Sequence, residues 1–285
     1  MQPRRSVLYM PGANARALEK AKTLKCDSLI LDMEDAVAPS SKVAAREQIV
    51  AAVNGGGYGY RELVARVNGL QTPWGHDDLS AVASLAINAV LFPKIESAAE
   101  VDACIAALDA AGGSGLPLWL MVETPRGVLN CASIAAVSDR VEVVVMGTSD
   151  LVKELRARHT PERHNLDYAL QTCVTAARAA NVEIVDGVHL DFRNLETFQV
   201  ACESGRSMGF DGKTLIHPSQ IDIANEVFGF PDDAIAHARE VISVWEQAQA
   251  DGRGVVELDG KLIENLHAAE AERVLALAEA VAARG

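Results

Sequence analysis

Between residues 6 and 216 the chain repeats one unit: a short apolar or β-branched run, followed by a longer stretch whose apolar residues recur with helical period. The runs fall at 6–10, 28–33, 63–67, 89–92, 118–122, 141–146, 182–188 and 212–216, eight in all. Helical stretches between them include "NARALEKAKTL", capped by Asn14, and "AAEVDACIAALDAAGG", ended by Gly112. In "LDYALQTCVTAARAAN", Leu166, Leu170, Cys173, Val174 and Ala177 share one face. Strands apolar on both faces need cover inside and out, and eight strand-helix units supply it by closing on themselves. The expected fold is therefore α/β, a (β/α)8 TIM barrel over residues 1–230, and a doubly wound open sheet is the other fold this alternation allows.

Past the eighth unit, residues 232–250 place Ile235, Ala238, Val241, Ile242 and Trp245 on one helical face, and 266–284 form a second amphipathic segment. Between them "VVELDGKLI" puts Asp259 and Gly260 where a two-residue hairpin turn belongs. Residues 231–285, a C-terminal helical and hairpin extension, are too few to stand alone. The extension is expected to pack on the barrel or on a neighbouring subunit.

In a barrel of this kind the chemistry sits where the strands end. The residues that follow the runs are Pro11 and Gly12; Glu34 and Asp35; Arg66 and Asn68; Lys94; Glu123; Asp150; Asp186, His189 and Asp191; and Lys213 with His217. Any single one can equally be a helix-facing or bottom-rim charge. Glu123 and Asp150 close neighbouring runs, and adjacent strands lie ~4.8 Å apart, so their carboxylates can converge on one cation. Two carboxylates, with water and substrate oxygens completing the shell, suit Mg²⁺, and no His or Cys cluster points to a softer metal. Glu34 and Asp35 in "LILDMEDAVAPSSK" add negative charge, either orienting metal-bound waters or capping the next helix. Arg66 in "LVARVN" offers a planar fork suited to a carboxylate or keto-acid substrate.

Charge narrows the partners. A formal net charge of -13 repels nucleic acid and anionic membrane, so neither is an expected partner. Within the first 25 residues, however, Arg4, Arg5, Arg16, Lys20, Lys22 and Lys25 face Glu19 alone, as a solvated helix face or a local anion site. No apolar run approaches the ~20 residues of a membrane span, and "SVLYM" is too short for a signal-peptide core, so a soluble, cytoplasmic protein is expected. The five scattered cysteines, with no C-x-x-C pair, read as reduced core thiols.

The segments "RRSVLYMPGANARALEKA", "LILDMEDAVAPSSK", "ARVN", "FPKIES", "VETPRG", "GTSDL", "DGVHLDFRNLETF", "GFDGKTLIHPSQ" and "LDGKLI", in this order, resemble the citrate lyase β-subunit-like branch of the HpcH/HpaI aldolase superfamily across almost the whole chain. The resemblance implies that Glu123 and Asp150 are Mg²⁺ ligands and that Arg66 holds the carboxylate of the keto-acid portion. Arg16 and Lys20, four apart on one helical face, would meet the phosphates of coenzyme A. Asp259 would be an acid/base carboxylate delivered over the active site of a neighbouring subunit in a homotrimer or a hexamer of trimers. One departure, Leu266 where many relatives carry proline, leaves the path of the last helix open.

The leading expectation is a Mg²⁺-dependent carbon-carbon lyase that splits a short 3-hydroxy dicarboxylic acyl-CoA, of citramalyl-CoA or malyl-CoA type, into acetyl-CoA and a 2-keto acid. Two alternatives use much the same groups. One is a malyl-CoA thioesterase, and the other is a citrate lyase β subunit acting on a carrier-protein thioester. A keto-acid aldolase without CoA would leave the basic N-terminal face without a role.

Overall fold

The computed structural model describes residues 1–284. Among them β1 (Ser6–Pro11), β2 (Ser28–Asp32), β3 (Glu62–Arg66), β4 (Ala89–Phe92), β5 (Leu118–Val122), β6 (Val141–Met146), β7 (Glu183–Asp186) and β8 (Gly212–Leu215) pair in parallel and in sequence order, and β8 returns to β1. The closed barrel is thus the observed sheet and the open one is excluded. Helices α1 (Ala15–Ala21), α2 (Lys42–Asn54), α3 (Gly75–Val82), α4 (Ala98–Ala110), α5 (Pro125–Ala135), α6 (Thr148–Glu154), α7 (Asp167–Ala179) and α8 (Leu195–Met208) follow the strands, α6 and α7 both lying between β6 and β7. The seventh run, expected over 182–188, is a strand only over Glu183–Asp186, because the Gly187 N–H donates to Asp186 Oδ1 instead of to a neighbouring strand. No helix among the described residues is long and apolar enough to cross a membrane.

Successive strand residues point to opposite faces, and one face of each strand fills the barrel. Val7, Ile30, Val64, Ala89, Leu91, Trp119, Met121, Val143, Val145 and Val185 form that inner cluster. The same parity carries Asp32 and Arg66 inward at the C-terminal ends of β2 and β3. All five cysteines are buried and free.

The opposite end of the barrel is tied by one cation. Arg4 donates through Nη2 to Glu62 and Glu142 at 2.7 and 2.9 Å and through Nη1 to Glu183 at 2.8 Å, reaching β3, β6 and β7. Its guanidinium lies 5.3 Å from the Trp119 ring centroid. Arg5 is held in the same region by Asp27. Arg4 and Arg5 therefore do not belong to the N-terminal basic face, because buried carboxylates of the barrel claim them. Replacing Arg4 by Ala strands Glu62, whose side chain is 4% exposed, and we expect a loss of about 3–5 kcal/mol in chemical denaturation. Combining Arg4→Met with Glu62→Leu should recover part of that loss, since the buried carboxylate is then gone while the more exposed Glu183 and Glu142 lose their partner.

Residues Arg4–Asn225 make one compact unit, and Met1–Pro3 with the chain from Glu226 onward make a second. The second unit begins at the last two residues of α9 (Ile221–Val227) and holds α10 (Asp232–Ala250), a hairpin of β9 (Val256–Leu258) and β10 (Lys261–Ile263), and α11 (Asn265–Ala282). Ile235, Ala238, Val241, Ile242 and Trp245, the face expected from the sequence, pack with Val256, Leu258, Ile263, Ala268, Ala271 and Val274 in a core of their own. Asp259 and Gly260 turn the hairpin with φ of 51° and 76°, the pair of positive values that a tight two-residue turn demands. Leu266, in place of proline, lies in the first turn of α11 and leaves the helix intact, with Glu264 and His267 capping its start.

Candidate active site at the barrel mouth

Three acids and an arginine meet at the ends of β2 and β3. Arg66 is buried and donates to Asp32 through two parallel bonds, Nε to Oδ1 at 2.7 Å and Nη2 to Oδ2 at 2.6 Å. Its Nη1 lies 3.1 Å from Glu34 Oε2, and its face lies 4.9 Å from the Tyr9 ring centroid. Asp32 also accepts from the backbone N–H groups of Glu34 and Ala36, so one carboxylate both orients the arginine and folds the loop behind it. Lys42 completes that loop by donating to the carbonyls of Met33 and Glu34. A fork gripped along one edge by Asp32 keeps its direction, and its Nη1 side is held by the contact to Glu34.

Lys94, just past β4, has a left-handed backbone with φ of 54°, a conformation uncommon outside glycine. The turn lets its N–H donate to Glu123 Oε1 at 2.9 Å while its Nζ reaches Glu34 Oε1 at 2.5 Å and lies 3.5 Å from Asp35 Oδ1. Partial burial works against the Lys94 charge, but the bond to Glu34 outweighs it and holds the ammonium protonated. Burial raises Glu34 above the usual carboxylate range, against the opposing pull of Arg66 and Lys94. Asp35, exposed at the rim, is lowered: burial opposes the shift, and its hydrogen bond to Glu34 and the Lys94 charge prevail.

Glu123 follows β5 directly and is 2% exposed. Burial pushes its carboxyl up to about 8; Lys94 opposes this, and the charges of Asp150 and Glu34 add to it. Asp150 does not end a strand but lies in the first turn of α6, whose N-cap is Gly147. The Gly147 N–H donates to Val122 O at 3.0 Å, which brings α6 against the end of β5. A Cβ at residue 147 would lie 2.4 Å from Glu123 Cβ and 2.5 Å from its Oε2. A buried carboxylate that shares its surroundings with two further acids is a group in want of positive charge. All the donors are hard oxygens, so the residues present fit a divalent cation of the magnesium type.

Other residues that follow the runs belong elsewhere. Asp186 and Lys213 are fully buried, pair at 2.5 Å, and with Arg163 at 2.9 Å form a cluster facing the outer helices, where Arg163 also reaches Ala201 O of α8. Asn68 holds Met33 O and Asp78, His189 meets Thr197, and His217 meets Ser219. On α1, Asn14 caps the helix, and Arg16 and Lys20 are exposed. Lys22 is drawn to Glu19 at 2.7 Å, so Arg16 and Lys20 are the exposed cations of α1, and Lys25 is exposed beyond the end of that helix. Asp259 lies at the hairpin turn of the second unit.

Three participants were not singled out from the sequence: Asp32 and Tyr9 not at all, and Lys94 only as a residue past a strand. The signal for Asp32 was present. In "LILDM" it has the inward parity of Ile30, and an acid pointing into an apolar barrel needs a cation, which Arg66 at the same inward register of β3 supplies.

The protein-family model described as HpcH/HpaI aldolase/citrate lyase matches residues 5–218. A (3S)-malyl-CoA thioesterase from Cereibacter sphaeroides is 47% identical over 281 residues, 99% of this chain and 96% of the relative. The citrate lyase subunit beta of Escherichia coli is 34% identical over 282 residues, 97% of this chain and 93% of the relative. Among solved structures, CitE from Mycobacterium tuberculosis in complex with magnesium, acetoacetate and coenzyme A is 29% identical, covers 96% of this chain and 97% of its own, and superposes with a TM-score of 0.76.

Proposed function

Because this chain belongs to the HpcH/HpaI aldolase/citrate lyase family, we propose that it is a magnesium-dependent enzyme acting on a short 3-hydroxy dicarboxylic acyl-CoA of the malyl-CoA class. The observation that carries the reading is the buried Glu123 carboxyl, pushed up to about 8 by burial with Asp150 adding to it, at a mouth that also holds Arg66. Magnesium complexes of a structural neighbour support the same cation. Hydrolysis of the thioester is the favoured outcome, supported by 47% identity to a (3S)-malyl-CoA thioesterase across 99% of this chain. Carbon-carbon cleavage to acetyl-CoA and a 2-keto acid is the second reading, supported by the citrate lyase β subunits among the relatives. Incubating the purified protein with malyl-CoA and citramalyl-CoA separates the two. Free CoA with the hydroxy acid marks hydrolysis, acetyl-CoA with a keto acid marks cleavage, and neither product from any acyl-CoA with Mg²⁺ present would refute the proposal.

Glu123 and Asp150 would hold Mg²⁺, which would supply Lewis-acid stabilisation of anionic oxygen. Arg66, fixed by Asp32, would exchange the Nη1 contact it makes with Glu34 for one to the substrate carboxylate and so set the orientation of the reacting end. Lys94 keeps Glu34 and Asp35 from facing Glu123 as uncompensated charge. Asp259 is the proton-transfer group in either reading. In hydrolysis its carboxylate takes the proton of the attacking water, and in cleavage its carboxyl gives a proton to the enolate carbon. The assembly proposed is a homotrimer, or a hexamer of trimers, in which the extension from residue 231 serves a neighbouring barrel.

Arg16 and Lys20 are proposed to meet CoA phosphates, and their exposure on α1 favours the free coenzyme over a carrier protein. Removing both should raise KM for the CoA ester about tenfold, from ~0.5–1 kcal/mol for each exposed charge pair, with a larger effect at low salt. Removing Lys25, equally exposed, should change KM by less than twofold. An equal effect from all three positions would mean that the face acts only through overall charge.

A further inference from the structure

We propose that His237 and Glu240 are positioning residues for Asp259, serving as the route by which its proton is exchanged with solvent; this rests on the acid/base role assigned to Asp259 above. His237 and Glu240 are three apart on α10 and so share a face. A ring nitrogen of His237, a carboxylate oxygen of Glu240 and one of Asp259 lie within 4.8 Å of one another, and all three residues are exposed. The arrangement is not a chance meeting of floppy side chains. Ala238 and Val241, which flank the pair on α10, and Val256, Leu258 and Ile263, which flank Asp259 in the hairpin, belong to one apolar core. The left-handed backbone at Asp259 and Gly260 fixes the turn itself. Helix and hairpin are thereby held together, which keeps a ring nitrogen of His237 and a carboxylate oxygen of Asp259 within the reach of one bridging water or a small rotation.

The chemistry needs such a partner. Each turnover leaves Asp259 in the wrong protonation state for the next. In hydrolysis the water O–H bond breaks as its oxygen bonds the thioester carbon, and the proton goes to Asp259. It then passes to His237 and on to solvent or to the departing thiolate. In cleavage the C2–C3 bond breaks as the substrate hydroxyl loses its proton to solvent, Asp259 gives its proton to the enolate carbon so formed, and it recovers one from the His237 imidazolium, which solvent reprotonates. Imidazole is the side chain that both takes and gives a proton near neutrality. Glu240, accepting from the second ring nitrogen, would fix the ring orientation and balance its charge while the proton is on it.

The test compares His237→Ala, Glu240→Gln and Asp259→Asn with wild type in malyl-CoA consumption, with and without added imidazole. For His237→Ala we expect kcat to fall about 10- to 100-fold, less than the ~10²–10⁴ of a group that itself moves the proton in the transition state. KM should stay within twofold, and imidazole should restore kcat in proportion to its concentration. Glu240→Gln should give a smaller loss in kcat alone, and imidazole should not rescue Asp259→Asn. Unchanged kcat in His237→Ala, a loss confined to KM, or a loss that imidazole cannot restore would each overturn the relay. An Asp259→Asn enzyme as active as wild type would instead remove the acid/base reading on which the relay stands.

Discussion

Glu123→Gln should abolish Mg²⁺-dependent turnover, a fall of at least ~10³-fold in kcat for loss of several kcal/mol of charge stabilisation, while the barrel stays folded. Gln keeps the size of the side chain and an oxygen to accept from the Lys94 N–H, so only the charge is removed. The metal-free protein supplies a second readout. Burial holds the Glu123 carboxyl at about 8, above its ordinary value of 4.5, so between those values the folded state carries a proton that the unfolded state has released. Stability should therefore fall as pH rises through that window and level off above it. Mg²⁺ competes with the same proton. Its affinity should rise about tenfold per pH unit towards pH 8 and then flatten, read by titration calorimetry at fixed ionic strength. Glu123→Gln should lose both the pH slope of stability and the pH dependence of metal binding. Retention of full activity in this variant, or metal affinity independent of pH in wild type, would remove Glu123 from the metal site.

Gly147→Ala carries the same argument to a residue that no charge pattern marks. Its new methyl group would meet Glu123 Cβ at 2.4 Å and Oε2 at 2.5 Å, distances at which one of the two must move. The variant should weaken Mg²⁺ binding without changing any ligand. This marks the limit of what the sequence discloses. Eight apolar runs in alternation with helical stretches point to a parallel sheet covered on both faces, and their number favours a closed barrel over the open sheet that the same pattern allows. Glu123 is readable for the same reason, since an acid directly after an apolar run stands out. Gly147 is not, because its constraint is a close approach between two chain segments, and such contacts leave no periodic trace.

The basic N-terminus shows how composition misleads. Six cations in the first 25 residues read as one patch. Yet Arg4 and Arg5 precede β1 and point to the bottom of the barrel, where Glu62 and Asp27 bind them, whereas Arg16 and Lys20 follow β1 on α1 and remain exposed. A strand separates the two groups, so they belong to opposite ends of the barrel. Asp32 was overlooked for a related reason. Its neighbours Glu34 and Asp35 are the visible acids after the run, whereas Asp32 is the last residue of β2 itself, shares the inward parity of Ile30, and grips Arg66 through two bonds.

Mixing an Asp259→Ala protein with a Glu123→Ala protein should restore activity that neither has alone. The expectation follows from the proposed assembly, in which the hairpin acid of one subunit serves the metal site of the next. Each variant is inactive for a different reason. In a mixed trimer some sites combine an intact Glu123 from one chain with an intact Asp259 from another. With random exchange at equal concentrations, a site built from two chains draws each group independently, so about one site in four is complete, and activity should approach roughly a quarter of wild type if subunits assemble without preference. A site built within a single chain can never be completed by mixing, since every chain lacks one group. Subunit exchange must be established by native mass before the assay, with the two variants distinguished by an affinity tag on one of them. Exchange without rescue would refute the shared site and leave Asp259 either acting on its own barrel or serving only as the first residue of an Asp-Gly turn. Rescue near the expected fraction would identify the extension as a component of the neighbour's active site, and would explain why a unit with its own small core is retained beside a barrel that already closes on itself.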